Sequence, residues 1–416
     1  MGASGVICEF NPFHNGHAYL LSRMREQVGE EGCVICLMSG RFVQRGEAAV
    51  ADPYLRGKMA LDGGADLVLE LPFPWSAGSA EHFALAGVDI LTRLGVDTVT
   101  FGSECGNLSL LSHAANAPGD PRFGEIYAAL CRKGTGTAVS YAEALRQVSE
   151  GNGHPLPEGF PSSNDLLGIA YLRALGTVAG RYGRAPEARV ITRLGAGYRD
   201  ETLREEEYPS ATALRLLLRQ AACDPFALES ILTGTMPERA LDTLLEGVRR
   251  GNLPLEGDRL LSFYHALYRI QSPAHAESCA EWGGGLGGHI CRHARETAIP
   301  SEFFNALRTK QYTDARLRRA LLFGALGVTE EDLRMPAAYT LLLAANRRGC
   351  RYLKARQKAL RNVSSPSVPV VTKPADAPAG RQQELCRLAD ALFTLCFPTP
   401  TAAGDMARRR PFVTET

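Results

Sequence analysis

Short apolar runs alternate with stretches of helical periodicity along the first half of the chain. Gly5–Phe10, Cys33–Met38, Asp66–Leu71, Thr98–Phe101 and Ala188–Arg193 are each four to six residues long, the pattern of strands buried on both faces. Between them, Pro53–Gly63 and Glu81–Leu94 carry apolar residues at helical spacing. Strand and helix in this order predict an α/β fold, a doubly wound parallel five-stranded sheet with right-handed crossovers. Ligands of such sheets bind beyond the carboxyl ends of the strands, near the switch point of the strand order.

An excursion over 105–187 separates the fourth and fifth strands. It predicts helices at Glu125–Lys133 and Tyr141–Gly151, a Pro/Gly-rich loop at Gly151–Pro161, and a capped helix start within Ser163–Leu175. Beyond 225 the strand signal fades. Ala227–Leu232, Pro237–Arg249, Asp258–Ile270, Thr313–Leu326 and Met335–Asn346 all read as helices, so a domain over 1–225 precedes a mainly helical one over 226–416. Pro366–Gly380 is expected to be an extended crossing segment or loop, and the tail from Pro398, with Arg408-Arg-Arg410, to be mobile.

Composition adds three points. Across 416 residues, 46 Lys and Arg face 45 Asp and Glu, but residues 301–361 hold 13 Lys and Arg against 5 Asp and Glu, a local net charge of +8. Eleven scattered cysteines suit reduced thiols of a cytoplasmic protein better than a disulfide framework. No run approaches the roughly 20 apolar residues of a membrane span, and the start has no basic stretch or cleavage site for export.

The densest chemistry lies at the first strand. Gly5–Phe10 leads into Asn11-Pro-Phe-His-Asn-Gly-His17 and then a helix over Ala18–Gln27. Orphan N–H groups and the dipole at that helix start favour a phosphate. His14 and His17 can donate to phosphoryl oxygens as charge develops, and Gly16 permits close approach. The alternative is a turn in which one histidine caps and the other packs. Two further cysteine patterns are set aside. Cys33-Val-Ile-Cys36 lies inside a strand rather than at a helix start, and Cys279, His289, Cys291 and His293 lack the spacing of a zinc site.

The strand–turn–helix resembles the His-x-Gly-His signature of the nucleotidyltransferase superfamily. Gly5–His17, Met38–Glu47, Gly64–Phe73, Ser79–Ala84, Leu94–Asp97, Phe101–Glu104, Arg193–Tyr198, Ser210–Arg215 and Leu307–Thr313 together resemble the tRNA(Met) cytidine acetate ligases, in the expected order as far as about residue 361. The resemblance implies a HIGH-type Rossmann-like nucleotidyltransferase domain followed by a basic helical domain. It implies an ATP site at Ile7, Cys8, Glu9, Phe10, Asn11, Pro12, Phe13, His14, Asn15, Gly16, His17, Ala18, Tyr19 and Leu20, with Gly102, Asn164 and Arg193. It also implies that His14 and His17 are the catalytic pair. Family members usually carry Lys-Trp where this chain has Pro53-Tyr54, and Asn where it has Arg41.

The residues themselves leave choices open. Gly102 ends a strand where a Cβ would crowd a nucleotide. Arg193 can pair with phosphate or form a surface salt bridge, and Asn164 can bind ligand or cap a helix. Ser210, Thr212 and Arg215 suit either a second phosphate contact or a plain helix cap. Arg45 faces phosphate or solvent, and Arg56 and Lys58 are expected near the same site. Lys310, Arg316, Arg319, Arg347, Arg348 and Lys354 form a candidate tRNA surface, with Tyr312 and Tyr352 as stacking platforms, or an ordinary basic face.

The implied reaction activates acetate with ATP to acetyl-adenylate, then transfers the acetyl group to N4 of the wobble cytidine of elongator tRNA(Met). ATP is a substrate, Mg²⁺ is held mainly through ATP, and no dedicated protein metal site is expected. Two other readings share these residues: a small-molecule adenylyltransferase, and a non-catalytic tRNA-binding protein with a regulatory nucleotide pocket.

Overall fold

Alternation along the strands sorts the core onto two faces. Ala3, Ile7, Cys33, Ile35, Leu37, Leu67 and Leu69 point to one side, and Val6, Val34, Cys36, Met38 and Val68 to the other, each set packed in its own apolar cluster. The computed structural model describes residues 1–133, 136–193, 210–220, 224–253, 255, 257–360, 367–399 and 401–415.

The first half comprises β1 (Ala3–Cys8), α1 (Asn15–Val28), β2 (Cys33–Ser39), α2 (Pro53–Asp62), β3 (Leu67–Leu71), α3 (Ala80–Leu94), β4 (Thr98–Ser103), α4 (Leu108–Asn116), α5 (Pro121–Arg132), α6 (Thr137–Gly151), α7 (Ser163–Tyr182) and β5 (Glu187–Thr192). There follow α8 (Ala211–Gln220), α9 (Pro225–Leu232), α10 (Glu238–Arg249), α11 (Asp258–Ile270), α12 (Leu286–Glu296), α13 (Pro300–Leu307), α14 (Asp314–Leu326) and α15 (Glu330–Arg334). The chain ends with β6 (Thr340–Ala345), α16 (Arg347–Leu360), β7 (Val370–Val371), α17 (Arg381–Thr394) and β8 (Phe412–Val413).

The sheet order is β5-β4-β1-β2-β3-β6-β7, with β8 also on β6. The five expected strands are mutually parallel. Two expectations fail here. Met335–Asn346 is not a helix, because Thr340–Ala345 is the strand β6, antiparallel to β3 and buried at every position. A six-residue apolar run has no amphipathic face to betray its state, and the unpaired edge of β3 decides it. Nor is the tail loose. Met406 is fully buried, and Phe412–Val413 pairs with Ala344–Ala345. Among the described residues no helix is long and apolar enough to cross a membrane.

Arg41 and Tyr54, two of the three unusual positions near β2, face the interior. Arg41 is buried between Glu70 and Asp390 of α17, and Tyr54 lies 2% exposed on α2.

Candidate active site

β1 and β4 pair at Ser4–Thr98 and Gly5–Val99. β1 continues on β2 as far as Cys8–Met38, and β4 continues on β5 as far as Ser103–Thr192. The two central strands therefore part at their carboxyl ends, where the strand order reverses. A cavity of ≈ 480 Å³ opens there.

Its floor is the turn into α1. Phe10 takes a left-handed φ of 44°, turning the chain from β1 toward the helix, and packs edge-on against Phe13 at 5.0 Å. His14 is the N-cap of α1. Its Nδ1 accepts the Gly16 N–H at 3.0 Å, and His17 Nδ1 accepts the His14 N–H at 3.3 Å. An accepting Nδ1 carries no proton, so each neutral ring holds its proton on Nε2. Burial, then the nearby Arg193 and Arg215, pulls the His14 pKa down to about 3; burial and His14 push His17 in the same direction. Both rings line the cavity as neutral donors, their centroids 3.8 Å apart. Capping and lining are thus one arrangement, not alternatives.

Arg45, Arg193 and Arg215 line the cavity alongside the carboxylates Glu9 and Asp314. Arg215 donates to the Asn11 carbonyl at 2.8 Å and to Thr212 Oγ1 at 2.9 Å. Ser210 caps α8, accepting the Ala213 N–H at 3.1 Å, while also lining the cavity. Glu9 accepts the Gln44 N–H at 2.8 Å. Its burial raises the carboxyl pKa against the pull of Gln44, Arg215, Arg45 and Arg56. Asp314 is engaged by Arg308 at 2.7 and 3.0 Å, which holds its pKa low.

Of the expected ATP residues, Ile7, Cys8, Glu9, Phe10, Asn11, His14, His17, Leu20, Gly102, Asn164 and Arg193 line the cavity. Pro12, Phe13, Asn15, Gly16, Ala18 and Tyr19 are not on its wall, and neither is Thr212. Asn15 instead ties α1 to the turn after α9, donating to Gly234 O at 2.7 Å. Asn164 is not the cap of α7; Ser162 is. Leu194–Tyr198, the remainder of the Arg193 motif, lies outside the described residues.

The remaining candidates lie off the cavity wall. Arg56 is fully buried and donates to the backbone carbonyls of Ala51, Glu9 and Gly40, so it supports the turn from beneath. Lys58 pairs with Asp62, outside the cavity. Arg319 is 8% exposed and bound to Glu281, a carboxylate it shares with Arg316, so its guanidinium does not stand ready for a phosphate; Arg348 is half-buried and paired with Asp66. Tyr312 and Tyr352 are buried and donate to the Gly284 and Leu94 carbonyls; neither offers a face for stacking. Cys33, Cys36, Cys279 and Cys291 are buried free thiols, and no group of three metal-ligating side chains occurs among the described residues.

The basic residues fall on two edges of the sheet. Lys310 is exposed just before Thr313, Asp314 and Ala315, which line the cavity, and Arg316 is half-buried beside them over Tyr312. Arg347 and Lys354 are exposed on α16. That helix starts where Ala345 meets Leu67 at the amino end of β3, the opposite edge.

Several lining residues escaped sequence reasoning. Asn164, Leu167 and Tyr171 share a face of α7 at i, i+3 and i+7, so the helical period would have found the last two once Asn164 was placed. Phe83 and Thr313 fall inside the Ser79–Ala84 and Leu307–Thr313 motifs, but nothing local shows that these distant elements meet at the cavity.

Strand, glycine-containing turn, capped helix and paired histidine donors beside three arginines define a nucleotidyltransferase type of nucleotide site. The family described as HIGH Nucleotidyl Transferase matches residues 1–406. The tRNA(Met) cytidine acetate ligase of Acetivibrio thermocellus is 32% identical over 415 residues, covering 96% of each chain. That of Syntrophotalea carbinolica is 34% identical over 371 residues, 87% of this chain and 84% of its own. Two crystal structures of Thermotoga maritima TmcAL are similar over 100% of both chains at 27% identity. The apo form has a TM-score of 0.87 and the form bound with alpha-thio ATP 0.85. The chain belongs to the HIGH nucleotidyltransferases and, among them, to the tRNA(Met) cytidine acetate ligase family.

Proposed function

We propose that this chain activates acetate with ATP and passes the acetyl group to N4 of the wobble cytidine of elongator tRNA(Met). The observation that carries the reading is the pair of neutral Nε2–H donors of His14 and His17 at the start of α1, inside a cavity ringed by Arg45, Arg193 and Arg215. A triphosphate matches that set: donors for the α-phosphoryl oxygens, guanidinium groups for the rest.

In the first step an acetate oxygen attacks the α-phosphorus in line. The acetyl–phosphate bond forms and the bond to pyrophosphate breaks, with the histidines stabilising charge on the phosphoryl oxygens. Mg²⁺ bound through the triphosphate oxygens would neutralise charge on the leaving pyrophosphate. In the second step the cytidine N4 attacks the acetyl carbon, the C–O bond to AMP breaks, and N4 gives up a proton. Lys310, exposed three residues before the lining Thr313, receives a tRNA phosphate. This reading goes with a cytoplasmic protein. Acetate-dependent exchange of labelled pyrophosphate into ATP tests the first step: exchange only with acetate supports it, and tight ATP binding without exchange would overturn it in favour of a small-molecule adenylyltransferase.

A further inference from the structure

Glu104 follows β4 directly and is not itself on the cavity wall. Its Oε1 accepts from Asn164 Nδ2 at 2.5 Å and lies 3.7 Å from Arg193 Nε, while Oε2 is within hydrogen-bond reach of the Ser162 hydroxyl. Two of these three partners, Asn164 and Arg193, line the cavity. A carboxylate only accepts hydrogen bonds. It therefore holds the Asn164 amide with NH₂ toward itself and turns the carbonyl Oδ1 away, and among the described residues nothing donates to that oxygen. Arg193 is held similarly: its stem crosses Gly102, where a Cβ would sit 3.1 Å from Arg193 Cγ.

Glu104 is not the only tie between β4 and α7. Asp165, 2% exposed, also joins them, accepting from Ser103 Oγ at 2.6 Å, Cys105 N at 3.2 Å and Ser162 N at 3.0 Å. The Glu104 carboxylate differs in also acting on the ligand-facing side chains Asn164 and Arg193.

We propose that Glu104 is a positioning residue that fixes Asn164 with its carbonyl oxygen toward the nucleotide, so that this wall selects a ligand carrying a hydrogen-bond donor there. The inference rests on the reading of the cavity as an ATP site. Two groups of ATP supply such a donor, the 6-amino group of adenine and the ribose hydroxyls. A guanine-type 6-oxo edge would set acceptor against acceptor.

Calorimetric titration of the full chain with ATP, purine riboside triphosphate, 2′-deoxy-ATP and 3′-deoxy-ATP tests this. The wild type is expected to bind one analogue about tenfold more weakly than ATP, the value of one hydrogen bond, and the analogue affected names base or sugar. Glu104→Gln leaves the amide free to flip and shrinks that gap to about threefold or less, Glu104→Asp restores it, and Asn164→Ala abolishes it. A merely structural role would weaken all four ligands alike, and a gap unchanged in Glu104→Gln would overturn the proposal. Should Glu104→Gln not fold, Asn164→Ala decides, because a gap retained there overturns it equally. If the wild type fails to bind ATP, the underlying reading of the cavity falls instead.

Discussion

His14 and His17 are poised by the backbone they cap. Each spends Nδ1 on an N–H of the turn and is left with Nε2–H for a ligand. Replacing His17 with Ala should lower the adenylation rate on the order of 10²–10³-fold, the usual loss for one donor to a developing charge, and change ATP affinity far less. Initial rates against ATP concentration separate the two effects. The pH behaviour follows from burial. The unfolded imidazole takes a proton near 6.5, whereas folded His14 resists one until about 3. This group's share of stability is therefore full above 6.5 and is lost as pH falls below it. In a titration of histidine-labelled protein without nucleotide, the His14 resonance should not move between pH 8 and 5; a midpoint near 6.5 would contradict the assignment. The motif itself was legible in the sequence because strand, turn and helix are contiguous. The Glu104–Asn164 contact was not, since it joins the end of β4 to a helix sixty residues later through a carboxylate that never touches the cavity.

At the level of elements, the Arg41–Glu70–Asp390 cluster ties the end of β2 and β3 to α17. One cation faces two carboxylates, and burial raises the Asp390 pKa to about 6. The unfolded carboxyl holds its proton only below about 4, so the contribution of Asp390 to stability grows as pH falls from 6 to 4 and is lost as pH rises through 6. Arg41→Ala strands both carboxylates and should cost about 3–5 kcal/mol at pH 7. Asp390→Asn imitates the protonated acid, should cost less than about 1 kcal/mol, and should remove this component of the pH dependence. Urea unfolding at pH 5 and pH 7 reads both effects. The turn carrying Arg45 is locked differently: Gly46 has φ +74°, and a Cβ there would lie 2.7 Å from Arg319 N of α14. Gly46→Ala should destabilise by about 1–3 kcal/mol and shift Arg45, read as a lower melting temperature with weaker ATP binding. Neither lock was visible in sequence, because Asp390 and Arg319 lie hundreds of residues from their partners. For the same reason β6 read as a helix: its state depends on the edge of β3, not on its own pattern.

For the whole molecule, the sheet puts chemistry on one edge and splits the basic residues between both. Lys310 stands near the cavity, whereas Arg347 and Lys354 stand at the far edge. Lys310→Ala should weaken tRNA binding and flatten its salt dependence by about one ion, and Arg347→Ala with Lys354→Ala should leave both unchanged in filter binding across salt concentrations. An equal loss from the far pair would mean that the tRNA wraps the sheet. The most direct test of the central claim is transfer of radiolabelled acetate to purified elongator tRNA(Met) with ATP and Mg²⁺, beside His17→Ala. The account predicts label on the wobble cytidine that depends on ATP and is lost in the variant. ATP binding with no label on any tRNA would contradict it.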